Sequence, residues 1–301
     1  MIIQNLKLPN INLVYKKHNR MIDYNKIFKN SIDFLVKYAK DYHLQSYILG
    51  ISGGIDSTVT AAVASLACKE LNIPLIGRSL PTKTNKSREV YAANLVGKAF
   101  CTDFKEVDLE ASFTSIFADI VINEKRVPSL QKGNIKARLR MIYLYNLASI
   151  NKGCVLDTDN KTEHSLGFWT LNGDVGDVNC GLIHLWKTEV YKLADYIIEY
   201  YEARDKQDEC TAIRTSYSLI PTDGNGVSSS DCEQFGLESY NQVDDVLKTM
   251  IENSSFDEYT RLIENYGKEG VDKVLELSKR TAFKRRTLPV CPYKEPFFLV
   301  N

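Results

Sequence analysis

The chain has 301 residues, 44% hydrophobic and 25% charged, with 38 Lys and Arg against 38 Asp and Glu. That length allows one large domain or two small ones, and the even charge gives no global field to attract nucleic acid or a membrane surface. The amino terminus carries no compact apolar segment, and no stretch approaches the ~18 apolar residues of a membrane span, so the expected location is cytoplasmic.

Residues 1–22 read as a loose arm. Asp23 can cap a helix whose apolar face includes Tyr24, Ile27, Phe28, Phe34, Leu35, Tyr38 and Tyr42. A strand follows at 46–51, then a small-residue helix from about Ser57 to Leu71. Next come a strand over 74–80 opened by Pro74, a helix over 87–99 and a strand over 102–107. A helix over 133–150 leads to a strand at 153–157. Strands alternating with long helices predict an α/β fold, a doubly wound parallel sheet flanked by helices. Ligands bind such sheets beyond the strand carboxyl ends, where Ser52, Arg78 and Thr158 fall. Residues 215–235 are polar and glycine-bearing, the composition of a long functional loop. Helical patterns over 241–252, 256–265 and 268–279 form a helical C-terminal region, and 293–301 reads as a tail. Residues 23–292 are expected to be a single domain.

The segment Gly50-Ile51-Ser52-Gly53-Gly54-Ile55-Asp56-Ser57-Thr58 joins the first strand to the second helix. Two glycines let backbone N–H groups approach an anion, and the helix behind adds a partial positive charge. The hydroxyls of Ser52, Ser57 and Thr58 are donors, and Asp56 offers a carboxylate that a phosphate-bound cation could use. No Walker lysine is present, so this is a phosphate cradle of another kind. The same run also satisfies G-x-S-x-G, the nucleophile elbow of hydrolases, with Asp157 and His184 as nominal partners. That reading leaves Asp56 and Ser57 unexplained.

Seven cysteines are scattered singly with no C-x-x-C, which favours reduced thiols over a disulfide framework or a zinc site. Gly77-Arg78-Ser79-Leu80-Pro81 ends the second strand with a permanent cation suited to phosphate. Asn134-Ile135-Lys136-Ala137-Arg138-Leu139-Arg140-Met141 opens the long helix. Asp157-Thr158-Asp159-Asn160-Lys161-Thr162-Glu163 brings a hydroxyl and carboxylates to the end of the fourth strand. Gly173-Asp174-Val175-Gly176-Asp177 is a tight acidic turn. Lys187 begins a helix, where the dipole disfavours a cation. A residue set against local preference is a functional hint.

The first loop resembles the SGGxDS loop of the ATP pyrophosphatase superfamily, which cleaves ATP between its α and β phosphates. Taken in order over residues 23–292, the segments resemble NAD synthetase of the ammonia-dependent type. The resemblance implies an adenine nucleotide alpha hydrolase-like fold and a ligase that converts deamido-NAD, ATP and ammonia to NAD, AMP and pyrophosphate through an adenylated dinucleotide. It places Gly50, Ile51, Ser52, Gly53, Gly54, Ile55, Asp56 and Ser57 at ATP, with Ser52, Gly53, Gly54, Asp56 and Ser57 holding its pyrophosphate. It further implies ATP contacts from Arg78, Thr158, Lys187 and Thr222, and magnesium (Mg2+) on Asp56, Glu163 and Thr222. Asn134, Arg138, Phe168, Asp174, Asp177, Phe283 and Lys284 would bind deamido-NAD, Phe168 by stacking. Asp56, Lys187 and Asp174 would be the catalytic groups, Asp174 accepting a proton from ammonium.

The sequence departs from the family pattern at Asp157 (usually glycine), Leu171 and Asn172 (usually lysine and tyrosine), Cys232 (usually glutamate) and Phe283 (usually histidine). These changes gather on the deamido-NAD side. Other readings therefore stay open: another adenylating amidotransferase or ligase, or a nucleotide-binding regulator without turnover. The family also implies a homodimer built partly through the 133–150 helix, both subunits contributing to the dinucleotide site. About 45 residues precede the first strand and contain no cysteine, so no glutaminase domain is expected and free ammonia is the expected nitrogen source.

Overall fold

The computed structural model describes residues 22–285 apart from 124–126, 223, 225, 227 and 253. The tail at 293–301, and all but the last residue of the arm at 1–22, lie outside the described residues. Five strands form one parallel sheet in the order β3-β2-β1-β4-β5. They are β1 (Ser46–Gly50), β2 (Leu75–Ser79), β3 (Asp103–Glu106), β4 (Gly153–Asp157) and β5 (Val178–Asn179).

In β1 the consecutive residues Tyr47, Ile48 and Leu49 are all fully buried. A strand covered on both faces needs such an unbroken apolar run. Tyr47 and Leu49 point into the larger core, against α1 (Tyr24–Asp41), α2 (Ile55–Leu71) and α3 (Ser87–Phe100). The helices α7 (Lys187–Glu202) and α8 (Gln207–Tyr217) close the same core. Ile48 points the other way, into a smaller cluster with Ile76, Val155 and Ala148 of α5 (Ser129–Ile150). The period-2 alternation of a strand thus divides helices between the two faces.

Strand order reverses between the paired neighbours β1 and β4: from β1 the chain continues to β2 on one side, and from β4 to β5 on the other. This reversal opens the crevice in which ligands of doubly wound sheets bind. Beyond it, α9 (Asp231–Phe235), α10 (Tyr240–Glu252), α11 (Phe256–Tyr266) and α12 (Lys268–Arg280) build a second apolar core. Leu166 of α6 (Lys161–Leu166) and Trp186 join it, tying the helical region to the sheet.

Several elements differ from expectation. The helix α4 (Glu110–Asn123) was not foreseen, nor were α8 and the two-residue β5. The loop expected over 215–235 is shortened by α8 at one end and α9 at the other. Asp23 does cap α1, accepting from Lys26 N at 3.0 Å. Phe34 and Tyr42, however, are 45% and 65% exposed, so the buried stripe of α1 is narrower than its aromatic content suggested.

Candidate active site

The site is built where β1, β2 and β4 end. After β1 the chain turns through Ser52 and Gly53 into α2. Gly53 has φ +85°, and a Cβ there would lie 2.3 Å from the Glu89 carbonyl oxygen. Only glycine meets both demands. Ser57 Oγ donates to Gly54 O at 3.0 Å and pairs with Ser52 Oγ at 3.0 Å. Thr58 Oγ1, 2.8 Å from both Gly54 O and Ser216 Oγ, fastens the loop to α8. Ser52 is thus engaged with Ser57, while His184 is exposed on a turn away from the cavity lining. The hydrolase-elbow reading has no support in this geometry.

Lys187 is the electrostatic centre. Its side chain is buried, and its ammonium contacts Asp56 Oδ2 and lies 3.1 Å from Glu163 Oε1. Burial works against the charged form, but Asp56 and Glu163 outweigh it and hold the lysine well above its ordinary pKa. Glu163 is pushed up to about 7, mainly by burial with Asp56 adding its like charge, while Lys187 opposes the rise. One ammonium is shared between two carboxylates, which resolves why a cation stands in the first turn of α7.

Asn160, missed from sequence, sets this arrangement. It caps α6, accepting from Glu163 N at 3.0 Å, while its amide donates to Asp56 Oδ1 at 2.8 Å. Glu163 Oε2 accepts from Asn160 N at 3.3 Å in return. The N-x-x-E spacing of a capping box was the legible signal.

These residues open onto a cavity of about 580 Å³. Gly50, Ile51, Ser52, Gly54, Ile55, Asp56, Ser57, Arg78, Thr158, Glu163, Lys187 and Thr222 line it, as do Asn134, Phe168, Asp174 and Lys284. Within the lining, Thr170 N donates to Asp174 Oδ2 at 2.6 Å, and Thr170 Oγ1 reaches Asn134 Oδ1 at 2.9 Å. Desolvation raises the Asp174 pKa against those hydrogen bonds. Lys284 donates to the carbonyls of Gly167 and Trp169, at 2.8 and 2.5 Å. The Phe168 ring meets Phe235 edge-on at 4.8 Å.

Three expected substrate contacts are not brought to this cavity. Arg138 is exposed on α5, with Nε on Leu171 O at 3.2 Å. Asp177 accepts from Val155 N at 2.9 Å and fastens the sheet edge. Phe283 is 61% exposed. Two further corrections concern charge. Arg78 lines the cavity, but its guanidinium is committed to Asp103, at 2.8 and 3.2 Å, instead of pointing at phosphate. Asp157, the carboxylate at the end of the fourth strand, accepts from Asn179 Nδ2 at 2.7 Å and joins β5 to β4. Arg140, not singled out from sequence, does line the cavity, with Nε 3.0 Å from Leu80 O.

The donor set suits a hard divalent cation. Asp56 and Glu163 offer only carboxylate oxygens, and among the described residues no three His, Cys, Asp or Glu side chains converge as a protein-only cage. Magnesium is typically held in this way, by one or two carboxylates completed by phosphate and water. Thr222 faces the same cavity, where its hydroxyl donates to Glu89 Oε1 at 2.8 Å.

A pH prediction follows. Desolvation is the leading cause of raised pKa values at Asp157, Asp159, Glu163, Asp174 and Asp244. The folded state therefore holds these protons more tightly than the unfolded state. Stability from these groups is greatest at or below the ordinary carboxylate range and is lost as pH rises towards about 7, the Glu163 value. Thermal unfolding of the nucleotide-free protein should show a higher midpoint near pH 5.5 than near pH 8. An unchanged or higher midpoint at the alkaline end would contradict this.

Residues 27–288 match the family model described as NAD synthase. The NH(3)-dependent NAD(+) synthetase of Pyrococcus horikoshii is 30% identical over 274 residues, spanning 91% of this chain and 96% of the relative. Among solved structures, the NMN synthetase of Francisella tularensis has a TM-score of 0.72 at 22% identity, covering 91% of this chain and all of that one. The NH3-dependent NAD synthetase of Campylobacter jejuni has a TM-score of 0.66 at 22% identity, covering 90% of this chain and all of that one. These two likenesses speak for the fold. The family match runs through the phosphate loop, the Lys187 cluster and the helical region alike, and this chain belongs to the NAD synthase family, ligases that form a carbon–nitrogen bond.

Proposed function

We propose that the protein is an ammonia-dependent NAD synthetase that activates the nicotinate carboxylate of deamido-NAD by adenylation. The observation that carries this is the buried Lys187 ammonium between Asp56 and Glu163, beside a phosphate loop at the sheet's switch point. A carboxylate oxygen attacks the α-phosphorus of ATP, and the bond to the bridging oxygen of pyrophosphate breaks. Ammonia then attacks the acyl carbon, and AMP leaves with the former carboxylate oxygen. Such transfer depends on charge neutralisation and positioning more than on a covalent nucleophile.

Backbone N–H groups of the 50–57 loop and the hydroxyls of Ser52 and Ser57 hold pyrophosphate, and Thr158 borders the nucleotide. Lys187 stabilises charge developing on the transferring phosphate. Asp56 and Glu163, with Thr222 nearby, would hold magnesium, which when bound would supply charge neutralisation for the polyphosphate. Asn134, Phe168 and Lys284 bind the acceptor. Asp174, made more basic by desolvation, takes the proton from ammonium.

Glu163→Gln should lower the rate ~10²-fold, the loss expected for one charge-stabilising group. A near-wild-type rate would remove Glu163 from the metal shell. A homodimer is supported by α5, which exposes Leu130, Ile142 and Ile150 at 54%, 57% and 70%. Arg138, exposed on the same helix, is then placed to serve the partner's site. Light scattering should give twice the chain mass, and a fully active monomer would overturn this.

The function is tested by supplying ATP, magnesium, ammonium and deamido-NAD and identifying NAD, AMP and pyrophosphate. ADP as product excludes the reading. Nicotinate mononucleotide, tried in place of deamido-NAD, decides whether the Leu171 and Asn172 departures have changed the acceptor. Glutamine offered in place of ammonium should support no synthesis; glutamate released in step with NAD would show otherwise.

A further inference from the structure

We propose that Glu89 is a positioning residue that holds Thr222 against the nucleotide cavity. This rests on the nucleotide occupying that cavity as proposed above.

Glu89 is the third residue of α3 and caps its N-terminus, its Oε2 accepting from Lys86 N at 3.1 Å. Such a glutamate needs one oxygen for that task, and glutamate is almost never fully buried unless paired. Glu89 is only 9% exposed, and its second oxygen has a different partner. Oε1 accepts from Thr222 Oγ1 at 2.8 Å, across 133 residues of chain. A hydrogen bond to a buried carboxylate is among the stronger kinds.

The surroundings make this contact a junction. The Glu89 carbonyl packs against Gly53, so closely that a Cβ there would lie 2.3 Å away. The start of α3 is thus wedged between the phosphate loop and Thr222. Nearby, Lys86 Nζ donates to Ser229 O at 3.1 Å and Thr84 Oγ1 reaches Gly224 O at 3.5 Å, so neighbouring residues cross to the same strip of chain. From the other side, Arg140 of α5 holds Asn85 Oδ1 at 3.2 Å, and the Asn85 amide lies 3.4 Å from Glu89 Oε2. One residue therefore relates the phosphate loop, α5 and Thr222, its carbonyl meeting the loop and its carboxylate reaching Thr222 and, through Asn85, α5.

The test measures affinity for α,β-methylene-ATP with magnesium by calorimetry, which needs neither acceptor nor turnover. Glu89→Ala and Thr222→Val should each weaken binding about tenfold, the effect of losing one hydrogen bond to a charged group. The double variant should bind no worse than either single one. Glu89→Gln keeps an acceptor of the same length and should recover most of the affinity. Hydrogen exchange over residues 219–222, read without nucleotide, should quicken in Glu89→Ala. Should that variant fail to fold, Glu89→Gln and Thr222→Val compared by exchange decide the point. A purely capping role predicts a lowered unfolding temperature with affinity and exchange unchanged, and that result overturns the proposal. Losses that multiply in the double variant overturn it as well. If the wild-type protein does not bind the analogue, the functional reading fails, while the exchange result still judges the contact.

Discussion

Lys187→Ala should lower turnover by about 10³-fold or more, within the range seen when a cation that stabilises a transferring phosphate is removed. Two effects act together. The ammonium that would meet charge developing at the α-phosphate is lost. Asp56 and Glu163 are also left facing each other without the cation they share. Removing one partner of a buried ion pair costs about 3–5 kcal/mol when the survivors stay charged. Here proton uptake by Glu163, already pushed up to about 7, relieves part of that cost. The variant is therefore expected to fold, with a reduced unfolding temperature and almost no activity. Lys187→Arg should not restore the rate, because a planar fork does not fit a niche built for a compact ammonium. Steady-state rates measured beside thermal unfolding separate the two effects. A Lys187→Ala enzyme within tenfold of wild type would remove the lysine from the chemistry.

Gly53→Ala should be the most damaging single methyl in the phosphate loop. The residue has φ +85°, and the added Cβ would lie 2.3 Å from Glu89 O and 2.9 Å from Ala93 N. Both are backbone atoms of a helix, so no rotamer change removes the collision. The loop or the start of α3 must move, with strain of about 1–3 kcal/mol and nucleotide affinity at least ~10-fold weaker. Gly54→Ala is the internal control. Its Cβ would have Ser52 Oγ at 3.3 Å as nearest neighbour, and φ there is −73°. It should cost little stability. Denaturant unfolding of the two variants checks the contrast, and equal destabilisation would contradict the steric account.

What the sequence made legible was local. β4 was read to the residue, and the phosphate loop stood out because glycines and hydroxyls at a strand–helix junction have few other uses. The anomaly of a lysine opening α7 was visible, and its cause was not, since Asp56 and Glu163 arrive from distant parts of the chain. Side-chain direction was the main loss. Arg78 stands at a strand end, but its guanidinium turns along the sheet because Asp103 of β3 lies in reach. Arg138 and Arg140 are two residues apart on a helix, hence about 200° apart around its axis, and only Arg140 faces the cavity of its own chain. In α8 the buried positions are Cys210, Ala212, Ile213 and Ser216, too small and polar to print an apolar stripe. The two-residue β5 was too short for any period to show.

The central claim is that the acceptor carboxylate is activated by AMP. Deamido-NAD labelled with 18O in its nicotinate carboxylate, incubated with ATP, magnesium and ammonium, tests this directly by mass analysis of the products. Adenylation predicts that each AMP formed carries one 18O in its phosphate, with pyrophosphate unlabelled. Label found in orthophosphate together with ADP would mean that the γ-phosphate is transferred instead, and would contradict the account.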